Sequence, residues 1–195
     1  LNGYISLKNV FLLSPDGTVD FDDASLILEK ENGSRKMLIK SPYINGELAG
    51  KTDFSNFLDD FHLHISQYLP SLIETKTNYA NLKSGDNDFQ FRFEFTSAKD
   101  LLNPFFSEIK MPNLGYLSGR FNSKEGFLEL DASIDELIYN NITASDMSFR
   151  LFSSDKKMTE LSLRADNITS GNFISLPNFA LYQKIWEDTI TTNLF

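Results

Sequence analysis

The 195-residue chain contains no cysteine, a single tryptophan and only two histidines. The absence of cysteine excludes disulfides, thiolate metal sites and cysteine nucleophiles. The sequence also lacks an apolar run of about 18 residues and a signal-peptide pattern, so we predict no transmembrane helix within it. Its formal net charge of −9 argues against nucleic acid and anionic membrane surfaces as partners, because both demand a basic footprint.

Phenylalanine, in contrast, is abundant, with 18 residues. Phe89, Phe91, Phe93 and Phe95 alternate with polar residues in one short run. Successive side chains of a β-strand point to opposite faces, so the four rings are predicted to share one face of a sheet. Such a face requires a cover, which is either a helix of the protein itself or a ligand.

Strand patterns separated by turn sequences dominate the chain. A Gly or Asn-Gly marks several of the turns, and Pro177 indicates an edge or an end of the last strand. The predicted strands cover Tyr4–Leu13, Ala24–Lys30, Lys36–Lys40, Tyr43–Lys51, Phe89–Phe95, Tyr116–Phe121, Phe127–Ile134, Met147–Phe152, Glu160–Ala165 and Phe173–Phe179.

Helical patterns are fewer. Asp53–Leu69 carries an apolar stripe about 120° wide and ends at Pro70, a shorter helix begins at Ser97, and a weaker one covers Tyr182–Thr189. We therefore predict an α+β fold that is mainly β. It is a long curved antiparallel-rich sheet of stacked hairpins, taco-like or β-helix-like, with two or three short inserted helices.

Two sequence features resemble ligand sites without meeting their requirements. The segment from Gly46 to Thr52 ends like a P-loop, but three residues, not four, separate Gly46 from Gly50. His62 and His64 point roughly 160° apart on the predicted helix, so they cannot share a metal ion. We therefore predict no nucleotide site, no metal and no cofactor.

Carboxylates occur in pairs at Asp22-Asp23 and Asp59-Asp60, and also at Asp131 and Asp135. Acid–base catalysis needs two such groups held together in a cleft, and nothing in the sequence places them so. Serine-hydrolase and zinc-protease motifs are absent as well. We predict that no residue is catalytic.

Short motifs recur along the chain. Leu48-Ala49-Gly50-Lys51 resembles Leu117-Ser118-Gly119-Arg120, which indicates repeated hairpin units. Five features follow one another along the chain: a glycine-marked strand, an amphipathic helix ending at Pro70, the phenylalanine strand, the apolar segment Leu101–Phe106 and the motif Leu117–Ser123. This order resembles the periplasmic part of TamB/AsmA-like envelope proteins, especially those of the Bacteroidetes type. The resemblance covers most of residues 18–180.

This resemblance implies a periplasmic location in a Gram-negative bacterium. Members of the family are anchored in the inner membrane, span the periplasm as a sheet with an apolar groove, and serve outer-membrane protein assembly, through an Omp85-type barrel, and phospholipid transport. Residues 1–195 are then one segment of a larger repeat-like protein, with 1–83 and 84–195 as alternative sub-units. The anchor and the barrel-binding region are expected outside this chain.

Our first functional hypothesis is a non-catalytic segment whose groove holds phospholipid acyl chains. The alternative is a plain scaffold or protein-interaction domain with a closed core, and a third option is a hydrolase that the sequence does not reveal. The predicted groove residues are Phe89, Phe91, Phe93, Phe95, Leu128, Leu130, Leu161 and Leu163.

Overall fold

The computed structural model describes residues 2–14, 17–31, 33–52, 60, 63–64, 85–97, 108–111, 115–154, 158–171, 173–186 and 189–195. Nearly all of these residues belong to one antiparallel sheet of twelve strands. The strands are β1 (Gly3–Ser14), β2 (Gly17–Glu31), β3 (Ser34–Lys40), β4 (Ile44–Lys51), β5 (Asp88–Phe95), β6 (Ile109–Lys110), β7 (Tyr116–Asn122), β8 (Phe127–Tyr139), β9 (Ile142–Ser154), β10 (Met158–Ser170), β11 (Ile174–Trp186) and β12 (Thr189–Leu194).

Eleven of the strands lie side by side in chain order, each antiparallel to the one before it. The exception is the two-residue strand β6, which pairs with β8 at Ile138 and Tyr139, beyond the end of β7. A meander of this kind needs only hairpin turns between most strands, as the turn sequences predict. The prediction of a mainly β fold built from antiparallel hairpins is confirmed.

The predicted helix Tyr182–Thr189 is wrong. Tyr182 to Trp186 complete β11, and Thr189 begins β12. A short apolar run fits a helix or a strand equally well in sequence, and here backbone pairing with β10 on one side and β12 on the other selects the strand. Pro177 lies beyond the part of β11 that β12 covers, in agreement with the predicted edge position.

The other two predicted helices lie outside the described residues, apart from Asp60, Leu63 and His64, which are helical, and Ser97, which is in neither a helix nor a strand. Two or three inserted helices are thus not supported by the described part of the chain.

β9 and β11 extend well beyond their predicted ends, and each of them, like β1, contains an internal left-handed residue. Asn9, Asp146 and Asn178 have positive φ angles of 52°, 47° and 53° within β1, β9 and β11. Asparagine and aspartate tolerate this left-handed conformation better than most residues. A left-handed residue interrupts strict alternation, so the apolar positions on its two sides no longer differ by an even number of residues. In β9, for example, Met147 and the buried Ala144 are three residues apart.

Candidate functional site: an apolar face of the sheet

The strand register aligns the phenylalanines of β5 with apolar residues of every neighbouring strand. Directly paired residues of antiparallel strands lie on the same face, so each phenylalanine defines a row across the sheet. The row through Phe93, here called the Phe93 row, contains eleven apolar residues from eleven strands: Ile5, Leu26, Ile39, Gly46, Phe93, Leu117, Ala132, Phe149, Leu163, Leu181 and Leu194. None of the eleven is fully buried.

The row through Phe91, the Phe91 row, lies next to it on the same face. Eight successive strands contribute an apolar residue or glycine, and Gln183 and Thr192 continue the row on β11 and β12. These eight residues are Leu28, Met37, Leu48, Phe91, Gly119, Leu130, Leu151 and Leu161. All of them are half-buried. We call the surface formed by the Phe91 and Phe93 rows the apolar face.

The row through Phe89, the Phe89 row, is closed on β5 and on β7 to β11. Its members on β5 and β7 to β11 are all buried: Phe89, Phe121, Leu128, Ser153, Thr159 and Ile185. Phe89, Phe121 and Leu128 form the centre of the hydrophobic core, and Phe91 and Leu130 pack against it. The side chains therefore change from buried to partly exposed between the Phe89 row and the Phe91 row.

Described residues between β4 and β5 contact the closed row. The Nε2 atom of His64 lies 2.8 Å from the Ser153 hydroxyl oxygen, and its ring meets Phe121 edge-on with centroids 5.7 Å apart. Asp60 accepts hydrogen bonds from the Gly85 backbone N–H at 2.6 Å and from the Asn87 side-chain amide at 2.5 Å. These contacts hold His64 on the Phe89 row and Asp60 beside the residues that lead into β5.

All eight groove residues predicted from the sequence lie on this one side of the sheet. Phe89 and Leu128 are in the closed row, and Phe95 is half-buried one pair beyond the Phe93 row. The remaining five residues are on the apolar face itself, namely Phe91, Phe93, Leu130, Leu161 and Leu163. Sequence reasoning missed the contribution of β1 to β4, although the alternating Leu26 and Leu28 were a usable signal.

Glycines make room for the phenylalanine rings. A Cβ atom added at Gly119 would lie 2.8 Å from Cζ of Phe91 and 2.9 Å from Cδ2 of Leu130, and would also meet the Glu129 carbonyl oxygen. A Cβ added at Gly46 would collide with the Phe93 ring and lie 2.9 Å from the Phe93 Cα. The similar motifs around Gly50 and Gly119 thus belong to β4 and β7, the two strands that flank β5.

The opposite side of the sheet, here called the charged face, carries cross-strand ion pairs. Arg150 donates to Glu129 at 2.7 Å, and this hydrogen bond together with the charges of Asp131 and Glu129 raises the Arg150 pKa. Lys184 lies 3.1 Å from Glu160, and other cross-strand pairs join Lys36 to Glu47 and Arg120 to Asp88, while Arg92 pairs with Glu94 within β5. These ion pairs all lie on the side of the sheet opposite the apolar face.

The sites rejected from the sequence have structural roles. Gly46 to Lys51 lie within the extended strand β4, and the Lys51 amine contacts Asp86. Within the described ranges, no group of three or more acidic or histidine side chains could hold a metal ion. His64 and Ser153 have the spacing of a base and a nucleophile, but Ser153 is 0% exposed, so a substrate cannot reach it.

Among the residues that the structure describes, no helix combines the length and the apolar character needed to cross a membrane. In comparisons with known proteins, no family model, no curated protein and no solved structure matches this chain.

Proposed function

We propose that this chain is a non-catalytic segment of a bacterial envelope protein and that its apolar face holds phospholipid acyl chains. In this proposal the protein lies in the periplasm and serves outer-membrane protein assembly and phospholipid transport, with an Omp85-type barrel bound by regions outside the chain. The resemblance to TamB/AsmA-like proteins supports the location and the pathway. The Phe93 row supports the ligand.

The Phe93 row is the observation that carries the proposal. Eleven apolar residues extend across the whole sheet, and none is fully buried by the protein itself. Apolar surface of this extent is a liability in water unless something covers it. Acyl chains cover it well, because each buried methylene contributes about 0.8 kcal/mol.

The shape and size of the sheet are part of this proposal. In it the sheet curves around the apolar face, and the left-handed residues Asn9, Asp146 and Asn178 support this because such interruptions of strand alternation accompany local bending. His64 lies over the Phe89 row, next to the apolar face. With about 4.8 Å between strands, a row of eleven extends about 48 Å, longer than the hydrocarbon core of a bilayer. We expect more than one lipid per chain.

The proposal is tested by native mass spectrometry of the purified protein after saturation with phospholipid. Leu163→Glu places a carboxylate on the Phe93 row and should lower lipid occupancy about tenfold or more, because a charge opposes burial against hydrocarbon. Ser162→Glu is the matched control, since Ser162 is the next residue of β10 and lies on the charged face, opposite Arg150. A wild-type protein that stays empty at lipid saturation would refute the proposal.

A plain scaffold with a closed core is the second candidate, and the buried Phe89 row favours it. If the same lipid experiment finds no ligand while Leu163→Glu lowers thermal stability, the apolar face is covered by the protein in solution. Lipid bound to the wild type and lost in Leu163→Glu, at unchanged melting temperature, excludes this candidate.

A further inference from the structure

The apolar face has no ionic groups with which to recognise a headgroup. No residue of the Phe91 or Phe93 row is charged, from Gly3 and Ile5 on β1 to Thr192 and Leu194 on β12. By register, Lys30 and Arg35 are the charged residues on this side of the described sheet nearest to these rows, and they align with the closed Phe89 row.

The ion-paired charges of β5 and of β8 to β11 lie on the opposite side of the sheet. Glu129 and Asp131 both contact Arg150, at 2.7 Å and 3.6 Å. Arg92 is 3.2 Å from Glu94, and Lys184 is 3.1 Å from Glu160. A ligand on the apolar face is separated from these groups by the thickness of the sheet, and the surrounding water screens what remains of their field.

We propose that the apolar face selects its ligands by the length of the hydrocarbon chain and is indifferent to the charge of the headgroup. This inference rests on the proposed function, because it concerns the same surface. Contact with the ligand is then dispersion and hydrophobic burial only, both of which increase with the number of methylenes in contact. A headgroup that projects into solvent adds little to the affinity.

Two lipid series measured by calorimetry test the inference. In the first, lysophosphatidylcholines from about 8 to about 16 carbons are bound to the intact protein, and the affinity should rise by up to about fourfold per added methylene. In the second, a zwitterionic and an anionic headgroup carry the same chain, and their dissociation constants should agree within about twofold. Both series should be insensitive to salt between about 0.05 M and about 0.5 M.

A charge on the apolar face provides an independent check. Leu163→Lys introduces a cation on the Phe93 row, where the charge opposes burial against hydrocarbon, so this variant should bind both headgroup classes about tenfold more weakly and without preference. Ser162→Lys, with the cation on the charged face, should bind both as the wild type does. Comparable melting temperatures ensure that both variants are folded.

The outcomes separate this inference from the proposed function. Binding that discriminates headgroups by more than about tenfold, or affinity that does not change with chain length, overturns the inference and leaves the acyl-chain face in place. An absence of binding in every series overturns the proposed function itself. A Leu163→Lys variant that binds lipid as tightly as the wild type shows that the hydrocarbon chain does not contact the Phe93 row, which also overturns the inference.

Discussion

At the scale of single residues, glycine decides how closely β7 can approach its neighbours. We predict that Gly119→Ala lowers the free energy of unfolding by about 1–3 kcal/mol, because the new methyl group would overlap the Phe91 ring and the Glu129 backbone. Urea denaturation measures the change. Gly3→Ala is the control, since an added Cβ there meets nothing within 4 Å. Equal stability of both variants would mean that Phe91 moves aside without cost.

At the scale of elements, the pair of Lys184 and Glu160 links β11 to β10 and makes their contact pH-dependent. Hydrogen bonds from Lys184, and then from Tyr182, lower the Glu160 pKa. A lowered folded-state pKa stabilises the protein above the unfolded value of about 4.3 and ceases to do so as the pH falls through the folded value.

We predict that Lys184→Ala raises the Glu160 pKa, measured by NMR titration, and reduces the acid dependence of stability below about pH 5. The stability change is small because both side chains are largely in contact with water. Lys36→Ala, which removes a cation from β3, should leave the Glu160 titration unchanged. A Glu160 pKa that is the same with and without Lys184 would contradict the pairing.

At the scale of the whole molecule, the two outer strands of the described sheet are a route to association. β1 and β12 pair on one side only within the described residues, and Ile190 of β12 is 53% exposed. Native proteins protect such edges with charges, yet β12 contains none.

We predict that Ile190→Lys lowers the concentration-dependent light scattering of the protein, because a lysine on an edge strand opposes pairing with another chain. Leu181→Lys, on the neighbouring inner strand, should not have this effect. If Ile190→Lys scatters as strongly as the wild type, the β12 edge does not contribute to association.

The sequence by itself determined that the chain forms a sheet with one apolar side. The period of two in Phe89 to Phe95 permits only one arrangement of the rings, and turn sequences such as Ser14 to Gly17 fix the hairpins. Those signals are local, so they can be interpreted without knowing which strands lie next to each other. All eight predicted groove residues consequently lie on one side of the sheet.

Tertiary structure decided which part of that side is closed. Phe89 and Phe93 have the same sequence pattern, yet Phe89 is buried and Phe93 is half-buried. Among the described residues, His64 contacts Phe121 and Ser153 of the Phe89 row, far from it in the chain. The pairing of distant strands likewise converted Tyr182–Trp186 from a predicted helix into β11. Both results depend on contacts between residues far apart in the chain, which a local pattern cannot contain.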